Sequence, residues 1–266
     1  MKKPFYLLLS VFLFSCGCNC NKTKEVTFSV VGDMPYGEDD EQKLIDIIDA
    51  QNVNHDVNFM VHVGDIKEGD SPCDFYYYDR FKEIMSKSMV PALAIPGDNE
   101  WTDCEDQKEA YKTWEQLLTY SLDSEVGASP IRQQGMPSNF AFLSQKNLFI
   151  GLTLPDADEE DYEDLESKLK KNVDWLEDRM SANVGSVDML IIFAHSKPTK
   201  EFGFRDKVFE LCSTYFSQQR VLWIQGDDHE FEVKKKWKGT NIDKITVDQD
   251  MRVKITAHNG NYQIVK

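Results

Sequence analysis

Four apolar segments of this 266-residue chain each end at a Gly-Asp dipeptide. Continuous apolar runs that stop at turn residues are typical of buried β-strands. A single turn of this kind would mean little, because Gly and Asp are common in turns, but four of them indicate that carboxylates are gathered at strand ends. The segments read FSVVGD, FMVHVGD, LAIPGD and LWIQGD, and their aspartates are Asp33, Asp65, Asp98 and Asp227.

The remaining pattern alternates strands with helices. Strands are predicted at 26–33, 57–65, 90–96, in two short runs within 139–154, at 187–195, 220–226 and as a late pair around 229–257. Apolar periodicity predicts helices over 40–53, 75–87, 105–121, 159–180 and 203–218. This order predicts an α/β fold whose sheet is mostly parallel at first and more antiparallel toward the C-terminus. No Pro/Gly/Ser-rich linker interrupts residues 26–266, so we expect one domain there.

The first residues, MKKPFYLLLSVFLFSCGCNC, combine a basic start with a short apolar run. That pattern predicts an export signal over residues 1–16, followed by a polar tether over 17–25. Leu13-Phe14-Ser15-Cys16 resembles a bacterial lipoprotein processing site, which would make Cys16 the lipid-modified residue. Ordinary secretion with cleavage a few residues later is the alternative. We therefore expect either an exported, membrane-anchored lipoprotein or a secreted or periplasmic protein.

The charge of the exported chain limits its partners. Removing residues 1–15 leaves 28 basic and 46 acidic side chains, a formal charge of −18. Nucleic acid is excluded as an expected partner, because binding it requires a basic footprint. The same charge repels anionic membrane surfaces, so attachment to a membrane is expected only through the N-terminal lipid. The sequence carries no prediction of the oligomeric state.

In open α/β sheets, ligands bind at the carboxyl ends of the strands. Clustered carboxylates repel one another unless a cation neutralises them, so a metal site is the simplest prediction. Carboxylate, amide and imidazole ligands suit Mn, Fe or Zn, and one central carboxylate can bridge two ions. Roles as turn aspartates, and as a packed core histidine for His195, remain open. The side chains expected at this edge are Asp33, Asp65, Asp98, Asn99, His195, Asp227 and His229.

The motifs resemble those of the calcineurin-like metallophosphoesterases, a family that includes purple acid phosphatases. That family carries D-x-H, G-D-x-x-D or similar, G-N-H-E/D, a lone His and G-H-x-H. Here GDMPYG, GDIKEG, PGDNEW, FAHSKP and GDDHEF follow in the same order over about 26–233. The resemblance implies a four-layer α-β-β-α sandwich of two mixed β-sheets. It also implies a dinuclear centre that activates water to hydrolyse small phosphorylated substrates.

The resemblance assigns a role to each position. Asp33 and His229 would hold the first ion, and Asp65 would bridge both ions. Asp98, His195 and Asp227 would hold the second ion. Aspartates at 98 and 227, where the family has Asn and His, favour harder ions such as Mg or Mn.

Two departures bear on activity. Pro35 stands where the family has a His ligand, with Tyr36 beside it as a substitute donor. Asn99 replaces the catalytic His and can donate a hydrogen bond, but it cannot transfer a proton. In an alternative register, Asn99 is the metal ligand and Asp98 is a turn residue.

Three cysteines lie beyond the tether. Cys73 and Cys104 each follow a Gly-Asp turn. If the two preceding strands are neighbours, both loops leave the same edge, and an oxidising compartment would allow a disulfide between them. Cys212, in an amphipathic helical segment, is expected to be a buried thiol.

Three functions are consistent with the sequence. The first is an exported, metal-dependent phosphoesterase. The second is a catalytically weak or inactive protein that binds metal or ligand on the same fold. The third is a surface interaction protein without metal.

Overall fold

A computed structural model of the protein describes residues 25–119, 130–156, 164–249 and 252–266. The signal over residues 1–16, lipidation at Cys16 and all but the last residue of the 17–25 tether lie outside these ranges and stay predictions. Within the described ranges, none of the helices combines the length and apolar character needed to cross a bilayer.

The described residues form twelve strands and five α-helices. The helices are α1 (Glu38–Asn54), α2 (Phe75–Met85), α3 (Gln107–Leu117), α4 (Leu165–Asn183) and α5 (Phe204–Tyr215). The strands are β1 (Glu25–Val31), β2 (Phe59–His62), β3 (Ala92–Ala94), β4 (Ile131–Gln133), β5 (Met136–Ser144), β6 (Asn147–Leu152), β7 (Met189–Ala194), β8 (Arg220–Gln225), β9 (Glu232–Lys234), β10 (Ile242–Thr246), β11 (Val253–His258) and β12 (Asn261–Val265).

The strands form two mixed sheets. The five-stranded sheet has the order β12-β11-β1-β2-β3, and β1, β2 and β3 run parallel. The seven-stranded sheet has the order β4-β5-β6-β7-β8-β10-β9, with parallel pairing from β6 through β10. Antiparallel strands flank both parallel cores. All carboxyl ends that carry the predicted motifs therefore belong to parallel strands.

Three apolar cores separate four layers. Between the sheets, Phe28 of the first sheet stacks on Phe59 at 5.2 Å and meets the edge of Phe193 from the second sheet at 5.7 Å. On the outer face of the first sheet, apolar residues of α1, α2 and α3 pack together. On the outer face of the second sheet, α4 and α5 pack around Trp175. The predicted α-β-β-α sandwich of two mixed sheets is confirmed.

The structure differs from the sequence prediction at the sheet margins. Where a late pair of strands was expected around 229–257, the structure has three strands, β9, β10 and β11. Neither β4 nor β12 was predicted. Both are edge strands with partly exposed side chains, so they lack the apolar run that marks a central strand. The predicted helices are all present, although the expected start of α4 at 159 falls within 157–163, outside the described residues.

Cys73 and Cys104 form a disulfide, with their Cα atoms 5.8 Å apart. The pairing follows from the topology, because β2 and β3 are parallel neighbours and the loops that follow them leave the same sheet edge. Cys212 lies buried on α5 as a free thiol.

Candidate metal centre

The loops at the carboxyl ends of β1, β2, β3, β7 and β8 meet at one place. The backbone N–H of Asp33 donates to Gly64 O at 3.0 Å, which joins the first two loops. The N–H of Gly226 donates to His195 O at 2.9 Å, which joins the last two. The Asp227 N–H donates to Asp33 Oδ1 at 2.8 Å and connects the two sheets. At the predicted sheet edge the loops therefore form a single cluster that is joined by hydrogen bonds.

The repeated Gly-Asp has a steric reason. A Cβ atom at Gly97 would overlap the Asp65 carboxylate, and one at Gly226 would overlap the Asp33 carboxylate. Each of these two glycines therefore makes room for the aspartate of another motif. Asp33 and Asp65 adopt left-handed backbone conformations with φ of 55° and 63°, which Asp tolerates better than most residues. The dipeptides interlock, so their recurrence reflects packing between loops and not isolated turns.

One group of side chains surrounds the His195 imidazole. His195 Nδ1 donates to Val63 O at 2.9 Å, which turns Nε2 toward the carboxylates. Nε2 lies 2.7 Å from Asp98 Oδ1, 3.4 Å from Asp65 Oδ1 and 4.0 Å from Asp227 Oδ1. Within the described residues, neither Nε2 nor Asp98 Oδ1 has a hydrogen-bond partner of acceptable geometry. Without a metal ion, a proton on Nε2 would pair His195 with Asp98; a metal ion bound there would take the place of that proton.

A second group lies around Asp33. Asp33 is fully buried, and its Oδ2 has no hydrogen-bond partner among the described residues. Its Oδ1 lies 3.5 Å from Nε2 of the half-exposed His229. The Tyr36 hydroxyl donates to Asp65 Oδ2 at 2.9 Å and lies 3.5 Å from the same His229 atom. The two oxygens of Asp65 therefore face the two groups, Oδ1 toward His195 and Oδ2 toward Tyr36.

Burial and the neighbouring carboxylates shift the pKa values of these residues. Burial raises the pKa of Asp65 well above its usual range; His195 opposes this, while Glu100, Asp98 and Asp33 add to it. Burial chiefly raises the pKa of Asp227 to about 6. Burial alone would lower the pKa of His195, but the carboxylates of Asp65 and Asp98 raise it well above the ordinary value. A divalent cation would replace the protons that the cluster otherwise attracts.

These residues form two groups that could each hold a metal ion. Asp33, Asp65 and His195 each offer a ligand atom within 4.8 Å of the others, and so do Asp98, His195 and Asp227. Carboxylate oxygens with one imidazole suit Mn, Fe, Zn or Mg. Asp33 Oδ2, which has no hydrogen-bond partner among the described residues, lies in the first of these groups.

The structure separates Asp98 from Asn99. Asp98 faces the imidazole, whereas Asn99 Nδ2 donates to the Tyr36 hydroxyl at 3.2 Å and to Lys67 O at 2.9 Å. The backbone N–H of Asn99 donates to Asp65 Oδ1 at 3.2 Å. Both amide hydrogens of Asn99 are therefore directed at the protein. This arrangement favours the register in which Asp98, and not Asn99, is the metal ligand.

Glu100 supports the centre, and the sequence prediction missed it. Its fully buried carboxylate accepts the N–H of Gly97 at 2.7 Å and those of Asp65 and Ile66 at 3.2 Å each. It thereby fixes the second motif loop to the third. The available signal was an acidic residue directly before the apolar Trp101 in PGDNEW.

His62 has a structural role. It is buried in β2, where Nε2 donates to Met34 O at 2.7 Å and Nδ1 accepts from the Gly64 N–H at 3.2 Å. Burial lowers its pKa to about 4, so the ring is neutral at physiological pH. His62 holds the loop after β1 against the loop after β2.

Comparison with known proteins identifies the family to which this chain belongs. Residues 26–234 match the family model described as calcineurin-like phosphoesterase. The chain belongs to this family. The match covers every loop of the candidate centre. In this calcineurin-like chain the carboxylates and imidazoles of those loops come together at one sheet edge.

Solved structures with the same fold have little sequence identity to this calcineurin-like chain. Purple acid phosphatase PPD1 from yellow lupin seeds (Lupinus luteus) has a TM-score of 0.60 at 13% identity, covering 92% of this chain and 52% of that one. The Candida albicans 5'-nucleotidase gives 0.54 at 11%, covering 86% and 46%. GAP50, the anchor in the inner membrane complex of Plasmodium, gives 0.59 at 14%, covering 90% and 83%.

These likenesses show the fold alone. This chain spans about half the length of the lupin phosphatase and the Candida nucleotidase. No curated protein matches the sequence.

Proposed function

We propose that this protein hydrolyses phosphate esters of small molecules with two divalent metal ions, Mn, Fe, Zn or Mg. The observation that carries the proposal is the convergence of buried carboxylates and an imidazole in two groups, one of Asp33, Asp65 and His195 and one of Asp98, His195 and Asp227. Within the described residues Asp33 Oδ2 is buried without a hydrogen-bond partner, and a bound cation would relieve the cost of that burial.

Asp65 is the proposed bridge between the ions. Asp33 and His229 would hold the first ion, with the Tyr36 hydroxyl close to both Asp65 and His229. Asp98, His195 and Asp227 would hold the second ion. Pro35 supplies no ligand, and the phenol of Tyr36 beside it donates a hydrogen bond to Asp65. When bound, two divalent ions acidify water and neutralise charge on a phosphoryl group.

Tyr36 and Asn99 shape the part of the proposed site that would face the substrate. Burial, and then the carboxylates of Asp65 and Asp33, raise the pKa of Tyr36, so its hydroxyl remains a hydrogen-bond donor. Asn99 holds this hydroxyl through its amide and transfers no proton itself. Because the family's catalytic His is missing at position 99, we expect turnover without that residue's general-acid contribution.

Export is the proposed location. The basic and apolar residues of 1–16 support an export signal, with lipid attachment at Cys16 or secretion as the two outcomes. A disulfide between Cys73 and Cys104 is consistent with an oxidising compartment.

A second candidate is a protein that binds metal or ligand without turnover. Pro35 and Asn99 favour it, because they remove one family ligand and one family proton donor. A precedent for a structural role on this fold is the Plasmodium protein described as an anchor.

One pair of assays tests the proposal. Metal analysis of the purified protein, followed by hydrolysis of an aryl phosphate with added Mn, should show bound metal and phosphate release. Asp65→Asn, a near-isosteric change at the proposed bridge, should lose both. Bound metal without release, across monoester and diester substrates, would support the second candidate. Absence of metal would overturn both candidates and leave a surface interaction protein.

A further inference from the structure

A cavity of about 260 Å³ adjoins the proposed metal centre. It lies between the start of α1, the loop after β2 and the first turns of α2. Tyr36 belongs to both places, because its side chain lines the cavity while its hydroxyl bonds to Asp65. The cavity is therefore a candidate location for the remainder of a molecule whose phosphate lies at the proposed centre.

Phenol rings form much of the wall. Tyr36, Tyr76 and Tyr77 line the cavity, and the rings of Tyr76 and Tyr77 pack edge to face with centroids 5.4 Å apart. Tyr76 is well exposed, so its ring is accessible to a ligand. The faces of aromatic rings carry negative potential and attract cations.

The polar lining is acidic. Glu38, Glu41 and Glu68 line the cavity, against two basic residues. Arg80 already donates from Nε to Glu41 at 2.8 Å and from Nη1 to Glu83 at 2.7 Å. The buried Lys67 ammonium donates to the backbone oxygens of Glu68 and Ser71, each at 2.9 Å. Arg80 and Glu41 neutralise each other, whereas Lys67 keeps its charge because its partners are backbone oxygens, so three glutamates against two basic residues leave the lining a formal charge of −1.

The volume limits the ligand to a small group. Pockets that enclose drug-sized ligands hold about 300–1,000 Å³, and this cavity is smaller. A compact alkylammonium headgroup is small enough for this space. Aromatic walls with neighbouring carboxylates are the usual surroundings of bound quaternary ammonium groups.

We propose that the cavity binds the ammonium end of the substrate, and that the substrate class is the phosphate monoesters of amino alcohols, with choline phosphate as the simplest quaternary member. This rests on the proposed phosphoesterase function. In the reaction, water adds to phosphorus, the P–O bond to the alcohol breaks, and a proton from water goes to the departing alkoxide. The products are inorganic phosphate and the free amino alcohol.

Kinetics with a matched pair of esters tests the selectivity. Choline phosphate and 3,3-dimethylbutyl phosphate have nearly the same shape, but only the first is cationic. We expect kcat/KM to favour choline phosphate by about tenfold, the order of a partly desolvated cation–aromatic contact. Glu38→Gln and Tyr77→Leu should each reduce this ratio. Equal values for the two esters in the wild-type protein would overturn the proposal.

Calorimetric titration with choline chloride separates the cavity from the chemistry. The metal-loaded wild-type protein should bind choline and not the neutral alcohol 3,3-dimethylbutan-1-ol, and Glu38→Gln should weaken choline binding. Glu109→Gln removes the same charge from a glutamate that does not line the cavity, and it should keep the wild-type affinity. Choline binding in a protein that hydrolyses no phosphate ester would support the ammonium site and overturn the phosphoesterase function. Aryl phosphate hydrolysis without choline binding, or equal weakening by both variants, would overturn the ammonium site and leave the phosphoesterase function intact.

Discussion

His195 Nε2 lies 2.7 Å from Asp98 Oδ1, while His195 Nδ1 is held by the carbonyl oxygen of Val63. The backbone bond fixes which ring nitrogen faces the carboxylates, as in metal sites where the second nitrogen of a ligating His is hydrogen-bonded. The same contact singles out Asp98, and not Asn99, as the residue aimed at the proposed second ion.

The metal content of two variants should show whether Asp98 or Asn99 is the metal ligand. Asp98→Ala removes a carboxylate directed at His195, so we expect loss of about one bound ion per chain. Asn99→Ala removes an amide directed at Tyr36 and Lys67, so metal content should stay near the wild-type value while turnover falls. Elemental analysis after dialysis makes the comparison. The opposite pattern, with metal lost only from Asn99→Ala, would establish the alternative register.

Restoring the family residue at position 99 should raise activity. The family has its catalytic His at this position, so Asn99→His would supply an imidazole that can act as a general acid. Because such groups typically contribute about 10²–10⁴-fold, we expect kcat to rise by at least about tenfold. Asn99→Gln, which keeps an amide, is the matched control and should not raise kcat. An unchanged or lower kcat in a correctly folded, metal-loaded Asn99→His protein would count against a missing general acid.

The disulfide should stabilise the fold substantially. Cys73 and Cys104 are separated by 31 positions, and closing a loop of that length contributes about 3–4 kcal/mol in the chain-entropy model. The double variant Cys73→Ala/Cys104→Ala should lose about this much free energy of unfolding in urea titrations. Reducing agent should destabilise the wild-type protein to a similar extent and leave the double variant unchanged. Equal stability of the oxidised and reduced wild-type proteins would contradict the expected contribution.

Asp243 should contribute stability that disappears in acid. Burial alone would raise its pKa, but hydrogen bonds from the Lys236 N–H at 2.8 Å, Arg220 at 2.8 Å and Tyr262 at 3.0 Å lower it. A lowered pKa in the folded state gives stability that is present above the unfolded pKa of about 3.9 and is lost as pH falls through the folded pKa. Asp243→Asn should therefore cost about 1–3 kcal/mol at pH 7 and less at pH 3.

Urea titrations at both pH values measure this difference. Asp206→Asn, at an exposed aspartate near Arg205, is the control and should change stability by less than about 0.5 kcal/mol. A cost for Asp243→Asn that is independent of pH would show that its charge is not responsible.

The sequence predicted the elements whose burial leaves a strong pattern. Segments such as Met189–Ala194 are apolar throughout because both faces of the strand are covered, and the strand was placed correctly. The β11–β12 hairpin was missed, although Asn259-Gly260 has the positive φ angles of 47° and 72° that its tight turn requires. That dipeptide was the available signal. Alternating, half-exposed edge strands depend on pairing that a single chain segment does not reveal.

The site was predictable where topology alone decides it. Parallel strands bring Asp33, Asp65 and Asp98 to one edge whatever their side-chain contacts are. The role of Glu100 was not predictable, because its three donors belong to the backbone of residues up to 35 positions away. The hydrogen bond between Asn99 and Tyr36 likewise joins residues 63 positions apart.

The most direct test of a dinuclear centre is metal stoichiometry in wild-type protein and in Asp65→Ala. Asp65 is the one carboxylate whose two oxygens face both groups of proposed ligands, so its loss should affect both ions. After loading with Mn and exhaustive dialysis, elemental analysis should give about two ions per wild-type chain and almost none in Asp65→Ala. A wild-type chain that retains no metal, or an Asp65→Ala chain that retains as much as the wild type, would contradict the dinuclear centre.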